Sequence, residues 1–277
     1  MLIGGSVVAA AGALDGFFLE PRDVVAERVD ITVARLPEEF HNFRIAQISD
    51  IHFGPYMGKA GVERAVRLTQ TFNPDLVILT GDFTSHPFGK PNGVEGARFA
   101  EPCADALVML RNVPQIAILG NYDHWNNANI VETALRERGI EVLRNRSIPL
   151  DRGKGRVWIA GIDDAVARAA DLAKTLKSVP STETTILLAH EPDFADHAAR
   201  FPVDVQFSGH SHGGQVRIPG IGALVLPAMA HKYPVGLNRV GRLQVYTNRG
   251  LGVINPPVRF HCPPEVTFVT LKHPLLV

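Results

Sequence analysis

Seven side chains in this sequence have types and positions suited to binding metal ions. Each follows a short apolar run, and the five runs are FRIAQIS, DLVILTG, QIAILG, TTILLA and DVQFSG. In chain order the side chains are Asp50, His52, Asp82, Asn121, His190, His210 and His212. They offer oxygen and nitrogen donors without sulfur, which suits Mn, Fe, Zn or Co better than Cu(I), and their imidazoles disfavour Ca.

The number of donors predicts a pair of ions rather than one. Seven donors exceed the ligand set of one tetrahedral zinc but fit two ions that share a carboxylate. Two divalent ions about 3.5–4 Å apart lower the pKa of a bridging water, orient a phosphoryl group and neutralise the charge that develops on its oxygens. The predicted chemistry is hydrolysis of a phosphate ester.

The spacing within the first and last motifs is expected to bring neighbouring ligands together. Asp50 and His52 are two residues apart, and at an extended strand end such residues point to the same side. His210 and His212 are expected to share one side of a turn, in which Gly209 and the glycines at 213 and 214 let the backbone pass close by.

The elements that must position these ligands are buried strands and the helices between them. The runs are apolar throughout, which is typical of strands covered on both faces. We predict helices over residues 59–72, over residues 128–138 before Gly139, and over residues 163–178 with Asp163 and Asp164 as N-caps. The alternating segments RLQVYT and EVTFVTL are expected on a second sheet. In such a layered α/β fold, ligands bind beyond the carboxyl ends of the strands.

Composition and charge exclude several classes of protein. The chain has 277 residues, of which 45% are apolar and 20% charged, as in an ordinary globular protein. Its 28 basic residues balance 28 acidic ones and no run of five basic residues occurs, so we expect no nucleic-acid partner. Cys103 and Cys262 lie far apart and outside any C-x-x-C motif, which indicates neither a disulfide framework nor a thiolate zinc site.

Residues 1–19 form a separate apolar segment in our domain prediction. About fourteen small and apolar residues precede Asp15, fewer than the about 20 that span a bilayer, and the Lys/Arg region of a signal peptide is missing. We expect an anchor or export remnant, or a frayed terminus, with peripheral membrane contact through the N-terminus. Residues 20–277 are predicted to form a single domain.

Five short motifs resemble those of the calcineurin-like metallophosphoesterases, which run D-x-H, G-D, G-N-H-D, a lone H after a strand, and G-H-x-H. Here they are SDIH at 49–52, TGDF at 80–83, GNYD at 120–123, LLAH at 187–190 and GHSH at 209–212, in the same order. Longer stretches, including GHSHGGQVRIPGIG and NRGLGVINPPVRFHCPPEVTFVTL, are similar to the YkuE/YaeI branch of small bacterial phosphodiesterases. The resemblance covers nearly the whole chain from residue 20 onward.

This resemblance implies a fold and an assignment of ligands. The fold is a four-layer αββα sandwich in which helices flank two mixed β-sheets. Two divalent ions are implied, with a hydroxide between them that attacks phosphorus, and Asp82 would bridge them. The ligands of the first ion would be Asp50, His52, Asp82 and His212. The ligands of the second would be Asp82, Asn121, His190 and His210.

One motif departs from the family pattern. The histidine of G-N-H-D, which stabilises the transition state or protonates the leaving group, is replaced by Tyr122, and His124 follows two residues later. A tyrosine hydroxyl donates hydrogen bonds but is a poor acid, since its ordinary pKa is about 10. In an extended loop Tyr122 and His124 would share a side, so the candidate catalytic residues are Tyr122, His124 and Asp123, which would orient the acting imidazole.

The function predicted from the sequence is that of a metal-dependent phosphodiesterase acting on a small or lipid-linked phosphate ester, with manganese among the candidate metals. A lipid-linked substrate is favoured by the apolar N-terminus and by the apolar segment IPGIGALVLPAM. A membrane-associated or exported bacterial protein is favoured over a free cytoplasmic one. Two alternatives stay open: a phosphomonoesterase or protein phosphatase, and a non-catalytic metal-binding interaction module on the same fold.

Overall fold

Two six-stranded sheets pack face to face in the computed structural model, which describes residues 15–86 and 95–276. Across its width, the first sheet consists of β1 (Val25–Thr32), β14 (Glu265–Lys272), β2 (Arg44–Ile48), β3 (Leu76–Thr80), β4 (Gln115–Ile118) and β5 (Glu141–Val142). The second consists of β12 (Gly236–Val240), β13 (Leu243–Thr247), β9 (Val205–Ser208), β8 (Thr184–Leu188), β7 (Gly155–Gly161) and β6 (Arg146–Arg152). A small separate ribbon pairs β10 (Arg217–Ile218) with β11 (Gly222–Ala223).

Helices cover the outer face of each sheet. The first sheet carries α1 (Lys59–Phe72), α2 (Ala100–Leu107) and α3 (Asn121–Glu137), and the second carries the short helices α4 (Leu172–Thr175) and α5 (Ala195–Ala198). Each sheet is mixed, because β14 runs antiparallel to β2 in one and β12 and β6 run antiparallel to their neighbours in the other. The predicted four-layer αββα sandwich is therefore confirmed.

Short helical turns complete the secondary structure. A π-helical turn spans Asp15–Leu19, and 3₁₀ turns span Glu20–Arg22, Glu38–Phe40, Ala97–Phe99, Val108–Leu110, Pro192–Phe194 and His212–Gly214. The turn at His212–Gly214 lies inside the last of the predicted metal motifs.

Continuous apolar runs form the central strands because both strand faces are buried. In β3, Leu76 and Ile78 pack against the second sheet, whereas Val77 and Leu79 pack against the helices. Fully burying each such side chain stabilises the fold by about 1.5–3 kcal/mol. Helix α1 has the predicted bounds, and the helix predicted to stop before Gly139 does so, since Gly139 takes a φ of +79°.

The helix predicted over residues 163–178 is wrong in its extent. Only Leu172–Thr175 is helical, and its N-cap is Asp171, whose carboxylate accepts the N–H of Lys174 at 2.9 Å. Upstream, the Asp164 carboxylate accepts the N–H of Ala167, as an N-cap would, but Arg168 takes a φ of +59° and ends the turn. The N–H groups of residues 165 and 166 donate to the buried Glu191 carboxylate. This tertiary contact has no signature in the local sequence.

The two late strands were predicted together but lie in different sheets. β13 belongs to the second sheet as expected, whereas β14 inserts between β1 and β2 of the first sheet. β1 and β14 pair in parallel over eight residues, so the two ends of the chain meet in one sheet. This pairing supports our proposal that residues 20–277 form one domain. Of the predicted apolar segment 1–19, residues 1–14 lie outside the described residues.

Membrane-spanning helices were also sought. Within residues 15–86 and 95–276, no helix combines the length and the apolar composition needed to cross a bilayer.

A buried arginine organises the segment that precedes β14. The Arg259 side chain is fully buried and donates hydrogen bonds to the carbonyls of Arg249, Gly250, Gly252 and Cys262 at 2.7–3.2 Å. Burial lowers the pKa of Arg259 from its ordinary value, which reflects a cation placed away from water. Because several backbone carbonyls depend on one guanidinium, this side chain fixes the path of residues 249–262.

We predict that Arg259→Leu lowers the free energy of unfolding by about 3 kcal/mol, because it leaves buried carbonyls without donors. Urea unfolding followed by circular dichroism measures the change. The matched control is Arg156→Leu at an exposed position of β7, where a change below about 1 kcal/mol is expected. Equal effects of the two substitutions would contradict the role given to Arg259.

Candidate metal centre

The predicted ligands converge at the edge where parallel strands of both sheets end. Loops after β2, β3 and β4 come from the first sheet, and loops after β8 and β9 come from the second. The sequence-predicted residues are all buried, with exposures between 0 and 7%. These residues are Asp50, His52, Asp82, Asn121, His190, His210 and His212.

One group of donors consists of Asp50, His52 and His212, whose ligand atoms all lie within 4.8 Å of one another. The Nε2 atoms of His52 and His212 are 2.9 Å apart, and Nε2 of His212 lies 3.4 Å from Oδ1 of Asp50. Three donors from two sheets thus point into the same small volume.

A second group consists of Asp82, His190 and His210. Nδ1 of His190 donates to the Thr80 carbonyl at 2.7 Å, so its Nε2 is left 3.2 Å from Oδ2 of Asp82. Nε2 of His210 donates to the Ala228 carbonyl at 2.9 Å, which leaves Nδ1 as the nitrogen that is free to bind. Backbone carbonyls therefore select the tautomer and the ligating nitrogen of both rings.

Asp82 stands between the two groups. Its Oδ2 lies 3.5 Å from Nε2 of His52 and 3.2 Å from Nε2 of His190, while its Oδ1 accepts the N–H of Tyr122 at 2.8 Å. Asn121, the first residue of α3, is 2% exposed, and its Oδ1 has no hydrogen-bond partner among the described residues. A carboxylate placed between two sets of imidazoles has the position of a bridging ligand.

The backbone of the ligand loops differs from the expected extended geometry. Asp50 and His52 each have a φ of +47°, so the expectation of an extended strand end is wrong, although the two side chains do converge. Asp82, His210 and His212 also have positive φ, between +50° and +66°. Each non-glycine residue in this region costs about 1–2 kcal/mol, and such strain is concentrated at functional sites.

Backbone pairing between loops holds this conformation. The N–H groups of Asp50 and His52 donate to the carbonyls of Gly81 and Asp82 at 3.0 Å, which continues the β2–β3 pairing past the strand ends. Consecutive turns of the chain therefore stay in register while their side chains face the centre.

Two glycines are required by close approach rather than by φ. A Cβ at Gly209 would lie 2.0 Å from Oγ of Ser49 and 2.1 Å from Oδ2 of Asp50. A Cβ at Gly120 would lie 2.3 Å from Oδ1 of Asp82. The expected role of Gly209 is thus given a specific cause: the loop after β9 rests directly on the Asp50 carboxylate.

Burial dominates the electrostatics of the centre. It raises the pKa of Asp50 to about 7, although the His190 ring opposes the rise, and it lowers the pKa of His52 to about 4. Burial also acts to raise the pKa of Asp82, but His190 and His52 outweigh it, and the pKa lies below its ordinary value. Burial acts to lower the pKa of His190, but the Asp82 and Asp50 carboxylates outweigh it, and the pKa lies well above its ordinary value. Carboxylates placed this close in a dry volume favour a positive charge between them, which a bound cation would supply.

The donor set fits a pair of divalent ions. Among the described residues, the buried Nε2 of His190 and Oδ1 of Asn121 lack hydrogen-bond partners, and the Nε2 atoms of His52 and His212 face each other at 2.9 Å. All of these are atoms that a borderline divalent cation accepts as ligands. Two candidate metal-binding groups are therefore present, and Asp82 of the second lies within 3.5 Å of His52 of the first.

The candidate catalytic residues fall in different places. Tyr122 lies over the first donor group, with its ring edge-on to His52 at 4.5 Å between centroids. His124 does not share its side, because residues 121–137 are helical rather than extended, and Nε2 of His124 instead pairs with Asp163 at 2.6 Å. The expectation that Tyr122 and His124 lie in an extended loop and share a side is wrong, because both lie in the first turns of α3.

Asp123 does not orient an imidazole. Its Oδ1 accepts the N–H groups of Phe83 and Thr84, and its Oδ2 accepts the N–H of Gly120 at 3.0 Å. The expected contact with a catalytic ring is therefore wrong, and the side chain ties the start of α3 to the loop after β3.

His86 stands at this site without any signal in the sequence motifs. Its ring is 4% exposed, lies 4.7 Å from the Tyr122 ring and stacks on Trp125 at 5.9 Å. Among the described residues neither ring nitrogen has a hydrogen-bond partner. His86 follows Asp82 in the sequence but belongs to none of the metal motifs. Only the fold brings its ring next to Tyr122.

Comparison with known proteins places this geometry among phosphoesterases. The family described as calcineurin-like phosphoesterase matches residues 43–214. The uncharacterised metallophosphoesterase YkuE of Bacillus subtilis is 32% identical over 275 residues, covering 98% of this chain and 93% of its own. Phosphodiesterase YaeI of Escherichia coli is 28% identical, covering 83% and 82%. The UDP-2,3-diacylglucosamine pyrophosphatase LpxG of Chlamydia muridarum is 27% identical, covering 90% and 89%.

A solved structure supports the fold alone. The 5'-nucleotidase precursor of Thermus thermophilus superposes with a TM-score of 0.51 at 14% identity, over 83% of this chain. The match covers 54% of that protein, so the present chain spans about half its length.

We predict that Gly209→Ala removes metal from the centre, because the new methyl group displaces the Asp50 carboxylate. Elemental analysis of desalted protein is expected to find two ions per chain before the substitution and at most one after it. The matched control is Gly58→Ala, where the added Cβ meets nothing within 4 Å and φ is −106°. Unchanged metal content in folded Gly209→Ala would contradict this packing.

Proposed function

The chain belongs to the calcineurin-like phosphoesterase family, and we propose that it is a phosphodiesterase that uses two divalent ions to hydrolyse a small or lipid-linked phosphate ester. The observation that carries the proposal is the pair of buried donor groups, in which Asp82 of the second group also lies 3.5 Å from His52 of the first. Two ions held there would supply a nucleophilic water at neutral pH and neutralise charge on the phosphoryl oxygens.

The residues of the chain divide the work of holding this centre. We assign Asp50, His52 and His212 to one ion and His190, His210 and Asn121 to the other, with Asp82 between them. Hydrogen bonds to the Thr80 and Ala228 carbonyls fix the rings of His190 and His210 before any ligand binds. Such preorganisation lowers the free energy needed to assemble the reacting groups.

Tyr122 is the residue that we place against the substrate. Burial raises the pKa of Tyr122 to about 12, and the Asp82 charge adds to the rise. The hydroxyl therefore keeps its proton at neutral pH and donates a hydrogen bond to a phosphoryl oxygen rather than acting as an acid. His124 acts from a distance, as a positioning residue that joins α3 to Asp163.

The names of two relatives support the choice of substrate class. YaeI is named a phosphodiesterase, and LpxG is named a pyrophosphatase of a diacylated nucleotide sugar. Both names describe cleavage of a phosphate linkage between two groups, and one of these substrates carries acyl chains. A bilayer-associated or exported location follows as part of this proposal, because an acylated substrate resides in a membrane.

We predict that turnover of bis(p-nitrophenyl) phosphate disappears on chelation and returns with Mn²⁺, and that it exceeds turnover of p-nitrophenyl phosphate by about tenfold. Release of p-nitrophenol measures both rates. Asp82→Asn is expected to abolish both reactions, whereas the exposed Asp151→Asn is the matched control.

A reversed ratio of the two rates would identify a phosphomonoesterase instead. Full turnover in the presence of chelator would contradict the metal-dependent mechanism. Bound metal without turnover of either ester would favour the non-catalytic module.

We predict that Tyr122→Phe lowers kcat for the diester by about 10- to 100-fold, because the transition state loses one hydrogen bond. His124→Ala is expected to leave kcat within about threefold while lowering the melting temperature, since it breaks the pair with Asp163. Steady-state kinetics and thermal unfolding measure the two effects. The opposite pattern, a large kcat loss in His124→Ala alone, would return the catalytic role to His124.

A further inference from the structure

Exposed apolar side chains are concentrated on one side of the molecule. Fourteen large apolar side chains are exposed among the described residues, and eight of them belong to two neighbouring places. One place is the N-terminal turn, with Phe17, Phe18 and Leu19 beside Tyr56. The other is the β10–β11 ribbon and the residues after it. In this second place the exposed residues are Ile218, Ile221, Leu224 and Val225. We call the two places, together with residues 256–262 between them, the apolar face.

The strap of residues 256–262 joins the two places. The N–H of Arg259 donates to the Gly16 carbonyl at 2.9 Å, and the N–H of Arg217 donates to the Phe260 carbonyl at 2.9 Å. Adjacent strap residues thus bind the N-terminal turn and the ribbon, which places the two apolar groups on either side of one extended segment.

The apolar face borders the metal centre. A Cβ at Gly214, two residues after His212, would lie 2.4 Å from Cβ of Ala223 in β11. Sγ of Cys262 in the strap donates to the His212 carbonyl at 3.3 Å. A molecule bound to this face would therefore lie next to the predicted ligands of the first ion.

Two arginines flank the apolar tips. Arg217 lines an open cavity of about 370 Å³ together with Ile218, and Arg22 lines the cavity that Phe17 and Tyr56 also line. The nearby Glu20 carboxylate accepts the backbone N–H groups of residues 261 and 262, so it does not pair with these cations. Apolar tips with cations beside them match the acyl and anionic layers of a phospholipid surface.

The chain that enters this face is itself uncharged. Residues 1–14 contain no Asp, Glu, Lys or Arg, and they join the described structure at Asp15, next to the strap.

We propose that the apolar face docks on an anionic phospholipid bilayer and presents the metal centre to a phosphate ester in that bilayer. This inference rests on the proposed function and names where its substrate is met. A bilayer fits better than a second copy, because the apolar residues project from a narrow ribbon with Pro219 and Gly220 at its turn rather than from a flat patch. A stable dimer buries about 800 Å² per partner, and a flat patch is better suited to such an area than a narrow ribbon.

Co-sedimentation with phosphatidylcholine vesicles, with and without 30 mol% phosphatidylglycerol, tests the proposal on the full chain. The wild-type chain is expected to sediment with the anionic vesicles. The double variant Ile221→Ser and Val225→Ser, whose side chains are 74% and 76% exposed, is expected to lower the partition coefficient by about tenfold or more. The matched control is Leu275→Ser with Leu276→Ser, which changes exposed leucines outside the apolar face.

Turnover of bis(p-nitrophenyl) phosphate by the same preparations separates this proposal from the proposed function. The ribbon variant is expected to keep soluble turnover and to lose turnover of a phospholipid diester in vesicles. The docking proposal is overturned if the wild-type chain hydrolyses the soluble ester but does not bind vesicles, or if the ribbon variant binds vesicles equally well. Either result leaves the proposed enzymatic function intact. If the chain binds vesicles but hydrolyses no ester, the proposed enzymatic function is overturned and the docking proposal stands. Association of copies that depends on the ribbon, seen by sedimentation velocity without vesicles, would assign the face to a second copy.

Discussion

The structure depends on one electrostatic constraint: two carboxylates and four imidazoles are gathered in one buried volume. Among the described residues, the ion pairs of Asp50 and Asp82 involve only histidines, and no Lys or Arg joins them. Removing such groups from water is unfavourable unless a strong positive charge replaces the hydration. Divalent cations would provide that charge, which would link the stability of this edge of the molecule to metal binding.

Several features of the fold serve this constraint at the same time. Parallel strands of two facing sheets end at one edge, so that short loops deliver donors from five directions. Left-handed backbone at Asp50, His52 and Asp82 turns consecutive side chains inward while the loops remain paired. Glycines at 120 and 209 allow these loops to rest directly on the carboxylates. The strain in the loops is balanced by the sheets, whose central strands are almost wholly buried.

The surroundings of the centre connect chemistry to substrate access. The Arg259 side chain holds residues 249–262 against the loop of Asp50, and the same segment lies between the N-terminal turn and the apolar ribbon. Residues 249–262 therefore contact the loop of Asp50 and also form part of the surface beside the candidate metal centre. This continuity gives a physical route by which an enzyme that cleaves soluble phosphate linkages would act on a lipid at a bilayer.

The sequence by itself determined the central strands, helix α1 and the convergence of the candidate metal donors at one edge of the sheets. Apolar runs identify strands buried on both faces, and polar residues directly after them lie at the carboxyl edge whatever the details of the loops. Order and spacing of the motifs identified the family, now shown by the matches to residues 43–214 and to YkuE.

Only the tertiary structure decided the features that depend on distant partners. The turn after Asp163 ends where Arg168 takes a left-handed φ, and Glu191 binds the N–H groups of that turn. β14 enters the first sheet by pairing with β1 and β2, which lie more than 200 residues earlier. Likewise His124 turns to Asp163 while His86 comes to Tyr122, since the helical start of α3 sets which side chains share a face. Local sequence carries the type of a side chain, but long-range packing chooses its neighbours.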